Sequence, residues 1–167
     1  MPETATAVTP LVENVSLQLT FAQRVILKNL DDISDAEALA KPNAGPNSIN
    51  WIAGHLVCIR NHFLTAFGAP SLFSAASVEA YNRGSKPGET LPESLSELRE
   101  KIVRSHEDLL SLIAGFDEAK LASPAPFSPG GGPETVGSLL LRLVIHEAYH
   151  GGQLGIARKL VGKAGAI

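Results

Sequence analysis

Apolar residues return at steps of three and four in four separate stretches of this chain, the period of one helix face. The first stretch runs Val12, Val15, Leu19, Ala22, Ile26, Leu30, with Glu13, Gln18, Arg24 and Lys28 mostly off that face. The third runs Leu95, Leu98, Ile102, Leu109, Ile113, opposite a charged face. The second and fourth carry something more. Ile52, Leu56, Ile59, Phe63 and Phe67 share their stripe with His55 and His62. Leu139, Leu143, Leu154, Ala157 and Val161 share theirs with His146 and His150. Histidines thus stand where a bundle helix should place leucines.

Local signals set the ends of these helices. Thr9-Pro10 supplies an N-cap followed by proline at the first helical position, and Asp31-Asp32 ends the pattern. Asn47 or Ser48 caps the second helix, which closes at Gly68. Pro92 opens the third, and the fourth lies within Pro133 to Gly162. Residues 31–46 read as a connector through Pro42, Gly45 and Pro46, with a short turn around Asp35 to Leu39. Residues 69–91 form a long connection rich in Pro, Gly and Ser, with Tyr81-Asn82-Arg83 inside it. ASPAPFSPGGGP, residues 122–133, admits no regular element. Residues 1–8 are expected to fray. The pattern predicts an all-α four-helix bundle forming a single domain over residues 1–167. Its long connectors fall between helices 2 and 3 and between helices 3 and 4, and they permit a crossover topology.

Composition narrows the partners rather than the fold. A net charge of -3, with no basic run, argues against nucleic acid and against an anionic membrane surface. No apolar run approaches the about 20 residues needed to span a bilayer. The opening MPETATAVTP lacks the basic and hydrophobic regions of a signal peptide. The single cysteine, Cys58, forms no internal disulfide, so a cytoplasmic location is expected.

The histidines carry the candidate chemistry. Burying imidazoles on an apolar stripe is costly unless their ring nitrogens are satisfied. His146 and His150, at i and i+4, can point at one shared atom, and a divalent metal would satisfy both. The competing account has them hydrogen-bonded to buried partners or solvent. His55 is inward-facing on a different helix, so these three histidines fall on inner faces of two helices. Bundles build metal sites from side chains projecting inward off facing helices. Three imidazoles leave a coordination position open, the mark of a catalytic rather than a structural site. Cys58, one turn from His55, is a possible fourth ligand but reads first as a small buried thiol. His106 reads as a buried histidine satisfied by a neighbour.

His146-Glu147-Ala148-Tyr149-His150 also matches H-E-x-x-H, the zinc metalloprotease pattern. The extended pattern fails at Gln153 and Ile156, and no Asp, Glu or His follows His150 to serve as a third ligand. Peptidase is therefore a minor alternative. Glu147 remains a candidate base or supporting group, with a solvated helix residue as the competing account. Gln153 lies on the face of His146 and His150, where it can orient a ligand or bond a bound water.

SINWIAGHLV in the second helix and VIHEAYHGGQLG in the fourth resemble the DinB-like superfamily of metal-binding four-helix bundles. The resemblance covers nearly the whole chain. It implies that His55, His146 and His150 are the metal triad, holding one divalent ion, commonly Zn or Ni. It further implies a homodimer and a thiol-dependent transferase or isomerase acting with a small thiol such as bacillithiol, mycothiol or glutathione. Numerous relatives carry arginine directly after the last ligand, where this chain has Gly151, while Gln153 keeps the pattern. The leading expectation is a metal-dependent enzyme activating a low-molecular-weight thiol. A metal-dependent hydrolase with hydroxide as nucleophile and Glu147 as base is the second. A non-enzymatic metal- or ligand-binding stress protein is the third.

Overall fold

The structure is a computed structural model that describes residues 8–41, 47–85 and 91–167. Seven of the eight residues expected to fray, 1–7, and the connector at Pro42, Gly45 and Pro46 lie outside them.

Four long helices form where the periodicity places them. α1 spans Pro10–Leu30, α3 Ile49–Ala66, α5 Leu95–Ile113 and α7 Val136–Leu160. Thr9 caps α1 by accepting from the Val12 N–H, with proline in the first turn, and Ser48 caps α3 by accepting from Trp51. All six residues of the first stripe are buried, as are all five apolar residues of the third and His106 beside them. α5 begins later than expected, at Leu95 rather than Pro92. Ser94 and Glu97 form a reciprocal capping box, which satisfies two orphan donors where a leading proline satisfies none. Ser34 and Glu37 do the same for α2, Asp35–Leu39, the expected short turn. Two further short helices, α4 (Ala75–Tyr81) and α6 (Glu118–Ala122), are too brief for a periodic signal. Among the described residues there is no strand, only an isolated bridge between Pro124 and Thr135.

The packing order differs from a simple up-and-down bundle. α1 lies between α7 and α5, and α3 lies between the same two, so α1 and α3 stand on one diagonal. Gly137 of α7 packs beside Leu11 and Gly155 beside Asn29, so α1 and α7 run parallel. Asn50 donates to Glu93 O at 2.9 Å and Arg60 to Ile102 O at 2.8 Å, so α3 and α5 also run parallel. Arg99 donates to Leu30 O and Gln23 to Ile102 O, which sets α5 antiparallel to α1. The order is up, down, down, up. Parallel neighbours require the chain to return along the bundle before α5 starts, which is why the 67–94 connection is long.

The core divides into two apolar clusters. One gathers Ile26, Leu30, Ile52, Leu56, Leu98 and Leu154, the other Val15, Leu19, Phe63, Leu109, Leu140 and Leu143. Between them the four long helices meet in a polar node. Arg60, fully buried, gives Nε and Nη2 to the two oxygens of Glu147 at 2.6 and 2.5 Å. Its remaining N–H groups reach Gln23 Oε1, Ile102 O and Ser105 Oγ. A buried guanidinium and carboxylate tolerate an apolar interior only when paired and hydrogen-bonded in this way.

Candidate metal centre

His55, His146 and His150 come together. Each offers a ring nitrogen within 4.8 Å of the other two, and they are the only such group of His, Cys, Asp or Glu among the described residues. α3 supplies one ligand candidate, and antiparallel α7 supplies two on adjacent turns.

Their supports come from outside that trio. Tyr81, at the end of α4, accepts the His55 Nδ1–H through its backbone oxygen at 2.8 Å, which leaves Nε2 as the lone-pair nitrogen. Tyr81 is held in turn by its hydroxyl, which donates to Asn50 Oδ1 at 2.9 Å. Trp51 stacks flat on the His55 ring, with centroids 4.8 Å apart and planes 8° from parallel. Gln153 Oε1 accepts the His150 Nδ1–H at 2.7 Å, and its amide donates to the Tyr149 hydroxyl at 3.1 Å. Carbonyl partners of this kind fix the tautomer and raise the basicity of the far nitrogen.

Nε2 of His55 and Nε2 of His146 face each other at 3.2 Å. Two lone pairs at that distance repel unless a proton or a cation lies between them. The spacing fits an ion: ligands at the roughly 2.0–2.1 Å of a Zn–N bond in tetrahedral array stand about 3.3 Å apart. Without an ion, His146 must donate to His55, and its Nδ1 is then a buried nitrogen with no partner. Burial, followed by neighbouring positive charge, pushes His55 down to about 4 and His146 down to about 3. Burial also lowers His150. All three are therefore neutral at pH 7, the form that ligates.

The trio lies on the wall of an open cavity of about 660 Å³, a size suited to a small organic molecule. Trp51, Phe63, Leu139 and Leu143 supply apolar lining, and the 122–133 connector contributes Phe127, Ser128 and Pro129. That connector folds back on itself, with Ala125 N–H donating to Glu134 O and Arg142 paired to Glu134 at 2.6 Å. His62, Asn82, Arg83 and Gln153 complete the polar part.

The other candidate residues fall elsewhere. Cys58 is fully buried near Val78 O and His62, and burial pushes its thiol up to about 11, so it does not join the trio. Glu147 is not solvated and does not line the cavity; both of its oxygens are taken by Arg60. His106 is buried near that same ion pair, but its Nδ1 has no partner, unlike the neighbour-satisfied histidine expected. Gly151 is buried against Val25 and Ile26 of α1. Asn50, Gly54 and the Tyr81 carbonyl escaped the reading of the sequence, and Arg60 carried no role in it. A signal existed for Arg60, the only Asp, Glu, Lys or Arg in α3.

Fold and site together define a four-helix-type bundle with an interhelical histidine cluster able to hold a metal. The sequence matches the DinB superfamily over residues 18–154, and the chain belongs to that superfamily. Among solved structures it is similar to a conserved protein from Enterococcus faecalis, with a TM-score of 0.69 at 18% identity. That likeness covers 89% of this chain and 95% of the other, and it concerns the fold. No curated protein matches the chain significantly.

Proposed function

We propose that this chain is a metal-dependent enzyme in which His55, His146 and His150 hold one divalent ion, zinc or nickel, and a small thiol is activated for transfer to an electrophile. The observation that carries this reading is the convergence of three neutral imidazoles on the wall of an open cavity. Imidazole donors suit both metals. A bound divalent ion supplies the charge that keeps a thiol deprotonated near neutral pH.

The chain's own residues do the rest. Tyr81 O and Gln153 Oε1 hold the His55 and His150 rings in their ligating tautomers. Phe63, Phe127 and Leu143 exclude water and receive the apolar part of the electrophile. Hydrolysis with Glu147 as base has less support, because Arg60 already occupies both carboxylate oxygens. The reading also has two copies paired through α1 and α7, whose outer faces expose Phe21, Ile145 and Ile156.

Elemental analysis of untagged protein beside His150→Ala tests the site. One ion per chain, lost in a variant that keeps its helical circular dichroism, is the expected outcome. Stoichiometric metal in the variant would remove the assignment. Turnover of an electrophile panel only with added thiol separates transferase from hydrolase, and metal binding with no turnover favours the non-enzymatic reading.

A further inference from the structure

The cavity beside the histidines has a one-sided charge. No Asp or Glu lines it among the described residues, whereas Arg83 and Arg142 both do. Arg142 is committed, since it is paired at 2.6 Å with Glu134 and thereby secures the connector that forms one wall. Arg83 is not. Only its backbone N–H is engaged, by Asn82 Oδ1, and its guanidinium has no hydrogen-bond or ion-pair partner among the described residues. An exposed arginine is unremarkable on an outer surface, but this one borders a concave site whose lining also includes Phe63, Phe127 and Leu143.

We propose that Arg83 is the anion handle of this cavity, which takes a small molecule with an apolar body and a single carboxylate. A planar guanidinium matches a carboxylate through two parallel N–H···O bonds, and one guanidinium without a partner among the described residues matches one negative charge. The apolar wall supplies the area against which the rest of the molecule is buried. The chain places this handle for a reason visible in α4 and its exit. Tyr81 gives its carbonyl to His55, and Arg83 follows two residues later, so one short segment sets both the histidine and the cation. This deepens the proposed function by naming the substrate class of the same site, and it rests on that reading only for the identity of the reaction.

Trp51 is the sole tryptophan and stacks on His55 at the cavity wall, so its fluorescence reports occupancy directly. The probes are 4-phenylbutyrate and its uncharged amide, titrated by fluorescence and calorimetry into the full chain as purified and after chelation. Arg83→Gln and Arg83→Lys are measured alongside. The acid is expected to bind at least about tenfold more tightly than the amide, with the preference lost in Arg83→Gln and partly kept in Arg83→Lys. Equal affinity for the two probes, or no binding of either up to millimolar concentration, overturns the proposal. So does a preference that survives in Arg83→Gln but disappears on chelation, because a metal would then be holding the anion. That last result leaves the metal-enzyme reading intact. Conversely, an Arg83-dependent preference in protein shown by elemental analysis to bind no metal upholds the handle while the metal reading fails.

Discussion

Gly54 has no chemistry of its own, yet it decides where His55 points. A Cβ there would lie 2.2 Å from Cδ1 of Tyr81, and the neighbouring ring atoms are nearly as close. The Tyr81 ring therefore rests on bare α3 backbone, and that contact brings its carbonyl to His55 Nδ1. Gly54→Ala must push Tyr81 outward and unhook the histidine. The expected cost is about 1–3 kcal/mol of stability, from overpacking. Metal affinity should fall by about 10- to 100-fold through loss of the supporting hydrogen bond. Competition titration with a chromophoric chelator reads the affinity, and wild-type binding in that variant would show that Tyr81 does not orient the ring. The convergence of the three histidines was legible because residue type and helical period are both written in side chains. The Tyr81 support was not, since a backbone oxygen leaves no mark on residue type, and only the fold brings position 81 to position 55.

At the level of elements, α3 and α7 each carry a charge that the rest of the helix does not explain. Arg60 is the only charged residue of α3 and Glu147 the only acid of α7, and they meet at the centre of the bundle. Their bond fixes how α7 is rotated and shifted against α3, and so where His146 and His150 arrive. Removing one partner strands a buried charge, so Glu147→Gln should cost about 3–5 kcal/mol in urea unfolding. Replacing both, Arg60→Met with Glu147→Leu, should recover much of that loss. A single variant within about 1 kcal/mol of wild type would mean that the pair does not anchor the helices. The long helices were readable from period and caps. Position 147 was ambiguous because it read equally as the base of H-E-x-x-H and as a solvated helix residue, and a regular expression cannot tell which way a side chain faces. α4 and α6 went unread because seven and five residues complete too few turns to show a stripe.

Across the whole molecule, the surface of α7 is as informative as its core. Leu141, Ile145, Tyr149, Ile156 and Leu160 are exposed on it, and Leu17 and Phe21 on the adjacent parallel α1. A two-fold axis along such a face buries the same patch from both copies, which is the usual geometry of a homodimer. Sedimentation should find a dimer at tens of micromolar concentration, and Ile145→Asp, 69% exposed in the single chain, should shift it to monomer with unchanged circular dichroism. A monomeric wild type would remove this interface. The crossover that the connectors permitted is the one adopted, although its order of neighbours was beyond reach because periodicity says which face is inward but not which helix lies across from it.

The up, down, down, up order has a kinetic side. Consecutive long helices are either diagonal to each other or, for α3 and α5, parallel. No pair can close as a local antiparallel hairpin, the cheap first step available to an ordinary helical bundle. Every interface between long helices joins segments far apart in sequence, and the loop entropy must be spent before contacts repay it. His55 and His146 are separated by 91 positions, so their meeting belongs to the end of this search. The chain should therefore fold slowly for an all-helical protein, and its histidine cluster should be among the last features to exist.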